Sequence, residues 1–192
     1  MNKKKIWIIL GILLVFLLIL FLNPKEKPKE ENILYSKQFE NVIYRFKQED
    51  YALGQNWIIS IEKSTDFGKT FTKMNEEGLT VSQKPLFSIL DPTLIFAIKS
   101  ENLQKYNDYL GIYVSHDEGK TFQNAKILYD KDSIEILTIE KPPYKQNQDL
   151  LLLCSIYTLN DQRDGYQTKE LLFQSTDQGL TWTLKDRVEE NK

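Results

Sequence analysis

The chain has 192 residues, with 25 Lys and Arg against 27 Asp and Glu, one histidine and one cysteine. A single cysteine excludes an internal disulfide, and there is no paired Cys or Cys/His spacing of the kind that holds structural zinc. Lys3, Lys4 and Lys5 precede the first apolar run, so the remainder carries 22 cations against 27 anions, a net of −5 that argues against nucleic acid or anionic lipid as the principal partner.

The first element is the apolar run Ile6 to Leu22, without a charged or polar side chain. As a helix it covers roughly 26 Å, close to the minimum for a ~30 Å hydrocarbon core, and flanking lysines that snorkel supply the rest. No small-residue cleavage site follows it, and no cysteine stands behind it to take a lipid. The reading is an uncleaved transmembrane signal anchor at 6–22. The alternative is a signal peptide cut at an unrecognised site. The lysine flank keeps residues 1–5 cytoplasmic and exports the rest, to the periplasm of a bacterial inner membrane or to a cell surface. Residues 23–32, NPKEKPKEEN, hold proline and charge with nothing to bury and read as a flexible linker. Residues 33–192 are then one ectodomain large enough for a real core.

From Ile33 onward the apolar residues alternate or run in short β-branched segments between turn signals, which predicts an all-β domain. The expected strands are 33–39, 41–46 and 56–63; then 86–90, 93–100 and 110–115; then 133–140, 149–159 and 169–175. Cys154, within DLLLLCSIY, reads as a buried thiol. Behind each set comes one octet of the form Ser-x-Asp-x-Gly-x-Thr-aromatic: STDFGKTF at 64–71, SHDEGKTF at 115–122 and STDQGLTW at 175–182. A short trailing segment follows each. Recurrence at this period marks three copies of one four-stranded unit, with strands A to D and the octet on the C-to-D turn. Within it Gly68, Gly119 and Gly179 supply a positive φ, and Ser64, Ser115, Ser175 with Asp66, Asp117, Asp177 offer oxygens to backbone amides of the turn. Thr70, Thr121 and Thr181 complete the string, and Phe71, Phe122 and Trp182 begin strand D as plugs. The three aspartates are therefore expected to be turn staples, and none is expected to be catalytic or to hold a metal.

This octet resembles the Asp box, or bacterial neuraminidase repeat, of sialidases and many other β-propellers, over about 33–187. The resemblance implies four-stranded blades of a sialidase-like β-propeller, with the boxes on the outer rim away from the pocket face. It does not imply an enzyme. Sialidases of that family use an arginine triad, a Tyr and Glu nucleophile pair and an acidic acid/base residue over about six blades, whereas the only arginines here are Arg45, Arg163 and Arg187 and no Arg-Ile-Pro motif precedes them. His116 falls at a variable position of the second octet and reads as a turn residue. The chain also has no G-x-S-x-G, no H-E-x-x-H and no phosphate loop, so no catalytic residue, metal or cofactor is expected.

Three blades do not close a ring that ordinarily needs about four to eight. The array then stays open, pairs as a homodimer, or is completed by a partner. The B-to-C loops lie on the face opposite the octets: KQEDYALGQN (47–56), ENLQKYNDYL (101–110) and NDQRDGYQTK (160–169). Each is longer than usual for a hairpin and carries tyrosine, which makes Tyr51, Tyr106, Tyr109, Arg163 and Tyr166 the candidate partner-binding residues. KPPYKQNQ (141–148) reads as a proline turn on the octet side. Together these features point to a non-catalytic, membrane-anchored domain that binds a protein, such as an inhibitor or immunity protein against a secreted toxin. A carbohydrate-binding module, with Trp57 and the loop tyrosines stacking on sugar, and an assembly factor for an envelope complex are the alternatives.

Overall fold

A computed structural model of the chain describes residues 32–53, 56–82, 85–99, 102–104, 111–129, 136–159 and 166–188. The expected anchor, the tail before it and all but the last residue of the expected linker lie outside the described residues, as do Tyr106, Tyr109 and Arg163. What is described is all-β, in fourteen strands.

The first sheet contains β1 (Ile33–Phe39), β2 (Val42–Tyr51) and β3 (Trp57–Ser64). The short β4 (Thr72–Lys73) and β5 (Leu79–Val81) share the far edge of β3. Between those two, the Asn75 side chain accepts the Ile61 amide at 2.7 Å, so the gap in the ladder leaves that donor satisfied. The second meander is β6 (Leu86–Asp91), β7 (Leu94–Ile98), β9 (Ile112–Ser115) and β10 (Gln123–Leu128). The third is β11 (Ile136–Gln146), β12 (Asp149–Leu159), β13 (Tyr166–Ser175) and β14 (Thr181–Val188). Each is an antiparallel run in sequence order, and each octet bridges its third strand and the strand that follows.

Alternation decides the stacking. On β7 all five side chains are buried: Leu94, Phe96 and Ile98 join one core with β12 and β13, while Ile95 and Ala97 join a second core with Tyr44, Phe46, Ile59 and Ile61 of the first sheet. The second meander is therefore covered on both faces, which is why LIFAI reads as an unbroken apolar run. Phe46 stacks on Phe87 across one interface, at 4.2 Å between ring centroids. Across the other, Phe96 meets Trp182 at 6.1 Å.

Three features depart from the sequence reading. The second and third meanders are not separate sheets, because Lys126–Leu128 of β10 pair in parallel with Thr181–Thr183 of β14. The order β6-β7-β9-β10-β14-β13-β12-β11 then returns β11 beside β6, giving a nearly closed, barrel-like sheet of eight strands. Trp182 and Ile127 both bury in the core between these strands, which draws the two edges together. Second, the proline segment is not a turn. β11 runs through Pro142 and Pro143 with one register break just before them, between Ile139 and Lys141, and one across them, between Lys141 and Tyr144, as prolines require in a ladder, and the turn itself is Asn147–Gln148, with Asn147 at φ 57°. Third, the loop expected at 101–110 contains β8 (Asn102–Gln104), which crosses over to pair with β11 and covers part of its edge.

Candidate functional site

The octets form three copies of one turn. In the first, Ser64 Oγ donates to Asp66 Oδ1 at 2.7 Å and accepts the Gly68 amide at 2.9 Å, while Asp66 accepts the Thr70 amide at 2.9 Å and the Thr70 hydroxyl at 2.7 Å. Ser115, Asp117, Gly119 and Thr121 repeat these bonds at 2.8, 2.9, 2.9 and 2.7 Å. Ser175, Asp177, Gly179 and Thr181 repeat them at 2.8, 2.8, 2.8 and 2.6 Å. In every copy the residue after the aspartate, Phe67, Glu118 or Gln178, lies at φ between 58° and 64°, and the glycine at 83° to 88°. Each carboxylate is thus spent within its own bend.

Those bonds hold the acids ionised. The Thr70 amide and hydroxyl with the Ser64 hydroxyl lower Asp66 to about 2. At Asp117 and Asp177 burial pushes the other way, yet the threonine and serine donors outweigh it and both remain below the usual range. A depressed folded-state pKa adds stability that is present above the unfolded value of about 4 and is lost as pH falls through the folded one. Thermal melts by circular dichroism should accordingly lose midpoint between about pH 4 and pH 2, and the triple variant Asp66→Asn, Asp117→Asn, Asp177→Asn should flatten that slope.

The turns also seat one sheet on another. A Cβ at Gly119 would stand 2.6 Å from Ile61 Cγ2 of the first meander, and one at Gly179 would stand 2.5 Å from the Phe96 ring of the second. Glu118 reaches back to Lys63 Nζ at 2.8 Å and accepts the Tyr44 hydroxyl at 3.2 Å, and His116 Nε2 meets the Gln178 carbonyl at 2.9 Å. Since a carbonyl only accepts, Nε2 carries the proton. The aromatics follow the same rule: Phe122 packs toward the first sheet and Trp182 toward the second. The first octet has no described sheet before it. There Phe71 is capped by the Arg45 guanidinium at 3.6 Å, Arg45 pairs with Glu62 at 2.6 Å, and Phe67 stands 69% exposed. Sequence reasoning missed Glu118, Lys63 and Tyr44, because Glu118 occupies a position that varies among the copies.

At the opposite end of β3 the β2–β3 hairpin projects. The predicted loop 47–56 is strand as far as Tyr51, which faces Trp57 and is 70% exposed. Leu53 beyond it is 96% exposed, held outward by the Ala52 amide bonding Asn56 O at 2.7 Å and by Asn56 Nδ2 bonding Leu53 O at 3.0 Å. Leu53 was missed, although it is a lone large apolar residue within a polar loop. Trp57 is half-buried against the core between the first two sheets. Tyr166 opens β13 opposite Leu159.

The octet end of the third meander carries a shallow polar cleft of about 480 Å³ lined by Asp91, Thr93, Lys145, Asp149, Gln174 and Gln178. Lys145 pairs with Asp91 at 3.1 Å and Lys185 with Asp149 at 2.5 Å, so its charges are largely balanced. Cys154 is fully buried, and burial pushes its thiol well above the ordinary range, which leaves it inert. No cluster of His, Cys, Asp and Glu suited to a metal occurs among the described residues. No family model matches the chain, and no curated protein matches it either.

Proposed function

We propose that the chain is a non-catalytic, membrane-anchored extracytoplasmic domain that binds another protein through its loop end, with three Asp-box-like octets clamping the turns at the other end of its strands. The observation that carries this reading is the division of labour between the two ends of the strands. At the octet end the serine, aspartate and threonine side chains are consumed by their own turns. At the loop end Tyr51 and Leu53 are large apolar or aromatic side chains left mostly in solvent. An apolar and aromatic patch beside a hairpin turn is the kind of surface that anchors an interface. Neutralising a secreted toxin is the first role to test, and assembly of an envelope complex would use the same end.

For carbohydrate binding, expected from the sequence at Trp57 and the loop tyrosines, the polar cleft at Asp91, Asp149 and Gln178 offers a second place. The two are separated by capture from detergent extracts followed by mass spectrometry. The full chain should retain a specific protein, and a Tyr51, Tyr106, Arg163 and Tyr166 alanine variant should lose it. Equal capture by both would remove the loop end from the account, and glycan binding abolished by Asp149→Ala would favour the cleft.

A further inference from the structure

Cover on both faces explains the unbroken apolar run of β7, yet β12 carries an equal run, LLLL at 150–153. Leu150 and Leu152 enter the core shared with the second meander, whereas Leu151 and Leu153, with Leu172 beside them on β13, belong to neither core. On that outer face Leu151 is buried, Leu153 and Leu172 are half-buried, and Tyr157 is 46% exposed. A strand apolar on both sides is the pattern of one that is covered on both sides.

The octets make this face equivalent to two others that are filled. Counted from the octet serine, the cross-strand pairs Tyr44 with Lys63, Phe96 with Val114 and Leu151 with Gln174 occupy one position, and Ile61, Ile112 and Leu172 occupy another, three residues before the serine. The first meander's face receives the second octet: Gly119 closes on Ile61, and Glu118 reaches Tyr44 and Lys63. The second meander's face receives the third octet, where Gly179 closes on Phe96. The third meander's face receives none of the three. Conversely, the first octet has no described sheet before it, and Phe67, at the position of Glu118, is left 69% exposed.

We propose that a second copy of the chain joins these two surfaces. The first octet of one copy docks on the outer face of the third meander of the other, with Phe67 against Leu172 and Gln174. The chemistry agrees on both sides: where Glu118 meets a tyrosine hydroxyl and an ammonium, the corresponding trio is Phe67, Leu151 and Gln174, which is uncharged and largely apolar. Each copy has one octet to give and one face to receive it, so two head-to-tail contacts close a dimer. The contact leaves Tyr51 and Leu53 free, and capture of a different protein at the loop end is a separate readout.

The test uses the full chain in detergent. Light scattering corrected for bound detergent should give twice the 22.6 kDa of one chain, and Phe67→Asp should return it to one, with an unchanged circular dichroism melt. Because Cys154 is buried, introduced cysteines report the geometry. After mild oxidation, Phe67→Cys mixed with Gln174→Cys should give a disulfide-linked dimer, and neither variant alone should. If Phe67→Asp melts early, this cysteine pair decides. A wild-type mass of one chain up to about 100 µM overturns the proposal. So does a folded Phe67→Asp that stays dimeric, or a Phe67→Cys chain that links to itself, which is the mark of a two-fold symmetric contact instead.

Discussion

Replacing Trp182 with alanine should destabilise the domain by about 3–5 kcal/mol, a large share of the roughly 5–15 kcal/mol that folded domains possess. The indole is fully buried between the second and third meanders, lies against Phe96, and sits on β14 directly opposite Ile127 of β10 in the parallel pairing that joins the two. Truncation removes the ring's burial and leaves a cavity at a seam that neighbours on both sides hold open. In guanidinium titrations the midpoint should drop sharply, and a thermal melt should fall by about 10 °C or more. Trp182→Phe is expected to cost much less, because the indole Nε1 is buried without a hydrogen-bond partner and its removal relieves a desolvated donor.

The second large effect is at Gly179. Its φ of +88° already strains any residue with a side chain, by about 1–2 kcal/mol. The added methyl would in addition stand 2.5 Å from two atoms of the Phe96 ring, which is fully buried and has no room to withdraw. Overpacking of that kind costs about 1–3 kcal/mol more, so Gly179→Ala should lose about 2–5 kcal/mol in the same titration. A larger residue there should give little soluble protein.

The strands and turns were largely legible in the sequence because their signals are local. Alternation marked β2, β3, β9 and β13, and the thrice-repeated octet marked the turns, whose bonding follows from the groups at each of its positions. The associations between units were not legible, because they depend on which faces meet. Nothing in QNAKIL or in TWTL announces a parallel pairing between β10 and β14, which arises from where Ile127 and Trp182 find their core. Nor did KPPYKQ announce a strand, since two prolines read as a turn until the neighbouring β12 supplies a ladder that tolerates their bulges. The Glu118, Lys63 and Tyr44 contact escaped for the same reason: its members are 55 and 74 residues apart. At the candidate site, aromatic character in the first loop pointed to Tyr51, while exposure at Leu53 became visible only once the hairpin was in place.

The glycine series Gly68→Ala, Gly119→Ala and Gly179→Ala tests most directly whether the octets seat each meander on the one before it. All three glycines have nearly the same φ, 83°, 85° and 88°, so the backbone penalty is common to the series. Only the last two press on an earlier meander, whereas a methyl at Gly68 meets the end of Ile43 within its own meander, at 3.2 Å. Denaturant midpoints should therefore give a loss for Gly119→Ala and Gly179→Ala that exceeds the loss for Gly68→Ala by about 1–3 kcal/mol. Three losses equal to within about 0.5 kcal/mol would mean that the turns act alone and do not seat one meander on another.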